Sequence, residues 1–85
     1  METKVIKRLI ENGVISAFSL KQPRKVAFDY NGIEYIVNIV RENFANVNVA
    51  IECLNVCDVW QTIAQKDVAY YYAPQYVINI ITNNK

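Results

Sequence analysis

The first thirteen residues carry apolar positions at the period of an amphipathic helix. Four apolar residues recur at i, i+1, i+4 and i+5, namely Val5, Ile6, Leu9 and Ile10. This stripe predicts a helix over residues 3–12. Thr3 is expected to cap its N-terminus, and Gly13 suits the left-handed position just past its end.

After Gly13 the pattern changes from helical to alternating. In an extended chain, one face would carry Val14, Ser16, Phe18 and Leu20, and the other Ile15, Ala17, Ser19 and Lys21. The alternation predicts a β-strand over residues 14–20, which ends before Pro23 because proline cannot donate a backbone hydrogen bond.

A β-hairpin follows and is the clearest local signal in the chain. Strand-like segments at 26–30 and 33–40 flank the dipeptide Asn31-Gly32, whose residues favour the positive φ angles of a type I′ turn. Because a two-residue loop determines the register, the facing residues can be predicted individually. The expected pairs are Tyr30 with Ile33, Phe28 with Tyr35, Val26 with Val37, Asp29 with Glu34, Ala27 with Ile36, and Lys25 with Asn38.

The next segment, residues 45–54, is ambiguous between strand and helix. Val47, Val49 and Ile51 alternate with polar or small residues, which favours a strand over about 46–52. A helical stripe then runs through Cys53, Val56, Cys57, Trp60, Ile63 and Ala64. We therefore expect a helix over about 55–66, with Asn55 or Asp58 as its N-cap.

The last third predicts a final helix. Residues 68–73 read either as extended chain or as the end of the preceding helix, and Pro74 suits the first turn of a new one. Tyr76, Val77, Ile80 and Ile81 repeat the stripe of the first helix.

Together these elements predict one α+β domain over residues 1–85. Their order is roughly α-β-β-β-β-α-α. We expect a small antiparallel sheet of three to four strands, with an N-terminal helix and one or two C-terminal helices packed mainly on one face.

Composition then excludes several classes of protein. The chain has 85 residues, 53% hydrophobic residues and a formal net charge of +1, so it is too apolar for a disordered tail. It has no run of 18 uninterrupted apolar residues, and we expect no membrane partner. It also lacks a secretory leader pattern, which favours a cytoplasmic, reducing compartment.

Candidate chemistry is sparse. Histidine is absent, which removes the usual general base and the imidazole metal ligand. Cys53 and Cys57 supply at most two of the four ligands that a structural zinc needs, and they are more typical of buried small residues. Asp29 and Glu34 face each other beside an exposed turn, where we expect them to be solvated. The sequence therefore predicts a non-catalytic protein with no metal and no cofactor.

The basic residues are concentrated in the first third. Between residues 4 and 25 there are six cations against the single anion Glu11. The cations are Lys4, Lys7, Arg8, Lys21, Arg24 and Lys25. Such a cluster can neutralise phosphates, so a nucleic-acid-binding module is the alternative functional hypothesis.

The C-terminal third is the more unusual feature. Residues 68–84 contain no charge and four of the six tyrosines, namely Tyr70, Tyr71, Tyr72 and Tyr76. Consecutive tyrosines cannot all face one core, and tyrosine is enriched in protein interfaces. These residues are the predicted contacts with another protein, or with a second copy in a homodimer.

Two further observations bear on origin. The chain is rich in residues with AT-rich codons, notably Asn and Ile, which indicates an AT-rich genome such as that of a low-GC bacterium or its phage. The predicted element order resembles that of some small phage inhibitors, including certain anti-CRISPR proteins. This resemblance of element order transfers no residues. It implies an inhibitor or regulator, encoded by a phage or mobile element, that acts by protein–protein contact.

Overall fold

The computed structural model describes residues 2–18 and 22–84. Their centre is a four-stranded antiparallel sheet in the order β1-β2-β3-β4, so each strand pairs with its neighbour in the chain. The elements in order are α1 (Glu2–Glu11), α2 (Val14–Ala17), β1 (Arg24–Tyr30), β2 (Ile33–Arg41), β3 (Asn46–Leu54), β4 (Trp60–Ala69), a 3₁₀ turn (Tyr70–Tyr72) and α3 (Ala73–Asn83). The predicted α+β class, with its N-terminal helix, antiparallel sheet and C-terminal helix, is confirmed.

The β1–β2 hairpin forms as predicted. Asn31 has a φ of 54° and Gly32 a φ of 80°, as a type I′ turn requires. All six predicted pairs occur, including Phe28 opposite Tyr35 and Asp29 opposite Glu34. The register follows from the turn, because the two-residue loop leaves only one way to close the ladder.

The sheet has one covered face and one open face. On the covered face lie the buried strand residues Phe28, Tyr35, Val37, Ile39, Val47, Val49, Ile51 and Val68. The rings of Phe28 and Tyr35 stack there with centroids 5.5 Å apart. None of the described residues on the other face is buried. The core therefore lies on a single side of the sheet.

The helices bring their apolar residues to the covered face. The buried helical residues are Val5, Leu9, Val14, Ala17, Ala73, Val77, Ile78 and Ile81, and they form one cluster with the strand residues. Of the predicted stripes, Ile6 and Ile10 are exposed, while Tyr76 and Ile80 are partly buried. Pro74 lies in the first turn of α3, as expected.

The strand predicted over residues 14–20 is wrong. Residues 14–17 form the short helix α2, and Gly13, with a φ of 77°, supplies the left-handed link from α1. Val14, Ala17 and Phe18 are all buried. Because i and i+4 share a face in a strand and in a helix, Val14 and Phe18 fit both patterns. Residues 19–21 lie outside the described residues.

The prediction of Thr3 as the N-cap of the first helix is also wrong. Helix α1 begins at Glu2, so Thr3 lies inside its first turn. Gly13 follows the end of α1 at Glu11, and its left-handed conformation confirms the predicted end of this helix.

The helix predicted over residues 55–66 is wrong as well, because β4 occupies most of that range. Asn55 caps no helix and instead shapes the β3–β4 turn, where its side-chain oxygen accepts from the amides of Cys57 (2.9 Å) and Val59 (3.1 Å). Asp58 has a φ of 59° and starts no helix either. The ladder between β3 and β4 contains one bulge, opposite the step from Ile51 to Glu52.

The strand at 46–52 is confirmed and extends to Leu54. Of the two alternatives for residues 68–73, extended chain is found for Val68 and Ala69 only. Strand β4 continues to Ala69, and the chain then tightens into the 3₁₀ turn before α3 begins at Ala73.

Gly32→Ala is expected to destabilise the fold by about 1–2 kcal/mol, the cost of a left-handed conformation for a residue with a Cβ. A methyl group at Gly32 would meet no described atom within 4 Å, so the effect is conformational and not steric. Urea unfolding measures the change. The exposed loop residue Glu42 provides the control Glu42→Ala, which should differ little from wild type; equal stability of the two variants contradicts the prediction.

Tyr35 is expected to make stability fall at alkaline pH. Burial raises the pKa of its phenol above 10.0, and the hydrogen bond from Asn84 (2.8 Å) opposes only part of that rise. The folded state therefore holds this proton more tightly than the unfolded state, so the stabilisation is complete below pH 10.0 and is lost as the pH rises through the folded-state pKa.

The measurement is urea unfolding at several values between about pH 9 and pH 11. Tyr35→Phe should show a shallower loss of stability over that range than wild type. Tyr71→Phe is the matched control because its ring is 86% exposed. An identical pH slope in wild type and Tyr35→Phe would show that Tyr35 does not govern the loss.

Candidate functional site

Two connections meet at one end of the sheet and build the candidate site. The β2–β3 loop (42–45) and the 3₁₀ turn are joined by a hydrogen bond from the Tyr70 amide to the Ala45 carbonyl, at 2.7 Å. Asn43 shapes the loop, since its side-chain oxygen accepts from the amides of Ala45 (2.8 Å) and Asn46 (2.9 Å). The loop therefore has a defined conformation beside the turn.

The 3₁₀ turn explains why three consecutive tyrosines have three different surroundings. A 3₁₀ helix has three residues per turn, so successive side chains diverge by about 120°. Tyr70 packs partly buried against the core. Tyr72 is directed towards α3, where its hydroxyl accepts from Asn79 at 3.3 Å. Tyr71, between them, is 86% exposed.

Tyr70 has a structural role. The guanidinium of Arg41 lies over its ring, 4.5 Å from the centroid. Arg41 also donates to the carbonyls of Phe18 (3.3 Å) and Phe44 (3.0 Å). One arginine thus joins the end of α2, the β2–β3 loop and the 3₁₀ turn.

Tyr76 is likewise part of the fold. Its side chain is partly buried and packs on the core cluster. Burial raises the pKa of its phenol, and the neighbouring Tyr72 adds to the rise. Of the four predicted contact tyrosines, Tyr71 and Tyr72 are therefore exposed, while Tyr70 and Tyr76 are partly buried against the core.

Sequence reasoning missed Phe44. This side chain is 94% exposed in the β2–β3 loop and sits next to Ala45, whose carbonyl binds Tyr70. Phe44 and Tyr71 are each one residue away from a partner of this hydrogen bond, so both exposed rings belong to the same end of the sheet. The available signal was a large apolar residue among polar ones between two strands. We call Phe44, Tyr71 and Tyr72 the aromatic surface.

The basic candidates are dispersed. Lys4 and Lys7 are exposed on α1. Arg8 is engaged by β1, donating to the Asp29 carbonyl (2.8 Å) and carboxylate (2.5 Å), and it lies 3.7 Å from Glu11.

The remaining basic candidates do not extend a common patch. Arg24 and Lys25 are both exposed on β1, but as neighbours in a strand they point to opposite faces of the sheet. Lys21 lies outside the described residues. Within the part of the chain that the structure describes, these cations are thus divided between α1 and the two faces of β1.

The remaining candidate chemistry is not assembled into a site. Cys53 lies half-buried on β3 and Cys57 is exposed in the β3–β4 turn, both as free thiols. Asp29 and Glu34 do face each other, but Arg8 binds Asp29. Among residues 2–18 and 22–84 there is no group of three or more cysteine or acidic side chains that could hold a metal ion.

Comparisons with known proteins give no further guide: no family model, no curated protein and no solved structure matches the chain. Within the described ranges, none of the helices combines the length and the apolar character needed to cross a bilayer.

Arg41→Gln is expected to destabilise the fold by about 1–2 kcal/mol, because it removes the stacking on Tyr70 and two charge-assisted hydrogen bonds. Urea unfolding measures the loss, and amide exchange should rise most in residues 42–45. Arg24→Gln is the matched control, since none of the described residues pairs with the exposed Arg24. Equal losses in the two variants would contradict the role given to Arg41.

Proposed function

We propose that this chain is a non-catalytic protein-binding module whose contact surface is the aromatic surface. The observation that carries the proposal is that Phe44 and Tyr71, in two connections joined at the same end of the sheet, are 94% and 86% exposed. Burying two such rings against a partner releases large apolar areas from water, and aromatic residues dominate the binding energy of many interfaces.

The contacts that order the two connections favour a binding role for the exposed rings over an exposure without function. Arg41, Asn43 and the Tyr70–Ala45 hydrogen bond hold the two connections in place. A surface that is already ordered loses less conformational entropy when a partner docks. Tyr72, 39% exposed and hydrogen-bonded to Asn79, extends the same surface towards α3.

Composition and element order add the biological setting to this proposal. The chain would act as a small inhibitor or regulator, encoded by a phage or mobile element, by occupying a surface of another protein or by forming a homodimer. The free thiols of Cys53 and Cys57 fit a reducing cytoplasm. The absence of histidine from the sequence supports a binding role without catalysis.

The test places a photo-crosslinking phenylalanine analogue at position 71 or 44 and irradiates the protein in its native host. We expect a discrete crosslinked protein, identified by mass spectrometry. The same analogue placed at the exposed Ile10 of α1 is the control, and it should not give this product. The double variant Phe44→Ser, Tyr71→Ser should weaken the isolated complex at least about thirtyfold, as expected for two hot-spot residues.

Circular dichroism melting checks that the double variant remains folded, and light scattering tests whether the partner is a second copy. Capture that survives the double variant, or that depends on nuclease-sensitive material, contradicts the proposal. In the nuclease-sensitive case, a matching loss in Lys4→Gln, Lys7→Gln and a steep salt dependence would favour the nucleic-acid alternative.

A further inference from the structure

A second unusual surface lies at the opposite end of the sheet, beside the β1–β2 and β3–β4 turns. Asp29 faces Glu34, and Leu54 faces Trp60. Glu34 and Leu54 are one step beyond the Tyr35–Cys53 pair, so the four residues form one row across the open face. This row brings a tryptophan and two carboxylates onto the same side of the sheet.

Trp60, at the β4 end of this row, is a partly exposed aromatic side chain. Its side chain is 40% exposed, and it lines a shallow depression of about 340 Å³ together with Ala27, Asp29 and Glu34. The indole therefore borders residues of β1 and β2, two and three strands away from its own. Trp60 and Glu34 thus line one depression, and Asn12, Phe28 and Tyr35 complete its lining.

The charges at this end are unbalanced. Arg8 neutralises Asp29, but neither Glu34 nor Asp58 pairs with a cation among the described residues. Glu34 and Asp58 line a neighbouring depression with Leu54 and the fully exposed Val56. Two free negative charges thus flank an apolar area of Leu54, Val56 and Trp60. We call these five residues the tryptophan surface.

We propose that the tryptophan surface binds an arginine-bearing segment of another protein, with the guanidinium stacked on Trp60 and hydrogen-bonded to Glu34. A planar guanidinium can stack on an aromatic ring while it donates to a carboxylate, which the rounder ammonium of lysine does less well. The chain already uses both contacts internally, in Arg41 over Tyr70 and in Arg8 on Asp29.

The charge of the surface selects among possible occupants. Free carboxylates at Glu34 and Asp58 repel the phosphates of a nucleic acid. A second copy offers poor complementarity, because two of the three arginines, Arg8 and Arg41, are already engaged.

This inference does not depend on the aromatic surface. Strand β2 separates the two ends, and its nine residues span about 26 Å. The residues of the two surfaces do not overlap. Tyr71→Ser should therefore leave binding at the tryptophan surface unchanged, so failure of either proposal can be recognised separately.

Trp60 is the only tryptophan in the chain, so intrinsic tryptophan fluorescence reports directly on this surface. The probe is a blocked peptide with two arginines flanked by leucines. We expect a saturable change in emission at peptide concentrations below about a millimolar. Replacing the arginines by citrulline, which has the same shape without the charge, should weaken binding at least about tenfold. Lysine should weaken it by a smaller factor.

Glu34→Gln should weaken binding of the arginine peptide about tenfold, whereas Glu42→Gln in the β2–β3 loop is the matched control with no change. Circular dichroism melting checks the fold of both variants. The proposal is overturned by a lack of saturation, by equal binding of the citrulline peptide, or by equal effects of the two variants. An increase in mass without peptide that Glu34→Gln abolishes would assign the surface to a second copy and also overturn it.

Discussion

The two-residue turn at Asn31-Gly32 determines which side chains the sheet buries. Side chains alternate between the faces of a strand, so a slip of one residue would exchange the two sets completely. With the observed register, Phe28 stacks on Tyr35 in the core, while Asp29 and Glu34 meet on the open face. Because β2 pairs with β3 and β3 pairs with β4, the register of the hairpin also determines which side chains of β3 and β4 face the core.

One covered face is what a chain of this length can build. Three helices, one of them a single turn, supply enough apolar side chains for one side of four strands. The other side meets solvent, as antiparallel sheets commonly do. Apart from Ile6 and Ile10 on α1, most of the large exposed apolar residues lie near the two ends of the sheet. Phe44 and Tyr71 mark one end, and Val56 and Trp60 mark the other.

The parts that could be predicted from the sequence are those with local causes. The hairpin depends on a dipeptide and on alternation around it, and the last helix depends on Pro74 and a stripe close to it. The strand prediction for residues 14–20 failed because a short run with apolar residues at i and i+4 fits a strand and a helix equally. The helix prediction for residues 55–66 failed because part of this segment pairs with β3 as a strand, and strand pairing outweighs local helical periodicity.

The candidate site, too, could be predicted only in part. Three consecutive tyrosines indicate by themselves that at least one ring must be exposed, and Tyr71 is the most exposed of the three. Phe44 could not be assigned to the same end of the sheet, because the two connections are joined by a hydrogen bond between Tyr70 and Ala45, far apart in the sequence. The row that joins Trp60 to Glu34 likewise crosses three strands, and the predicted helix over 55–66 concealed it.

Strand β4 has a further consequence for the behaviour of the protein at high concentration. It is ten residues long and ends the sheet, so its outer backbone groups offer a template for another strand. The bulge opposite Ile51 and Glu52 bends this edge, and Lys66 and Asp67 place opposite charges on its two faces. Both features disfavour edge-to-edge stacking. The irregular step in the β3–β4 ladder thus protects the chain against aggregation through its longest strand.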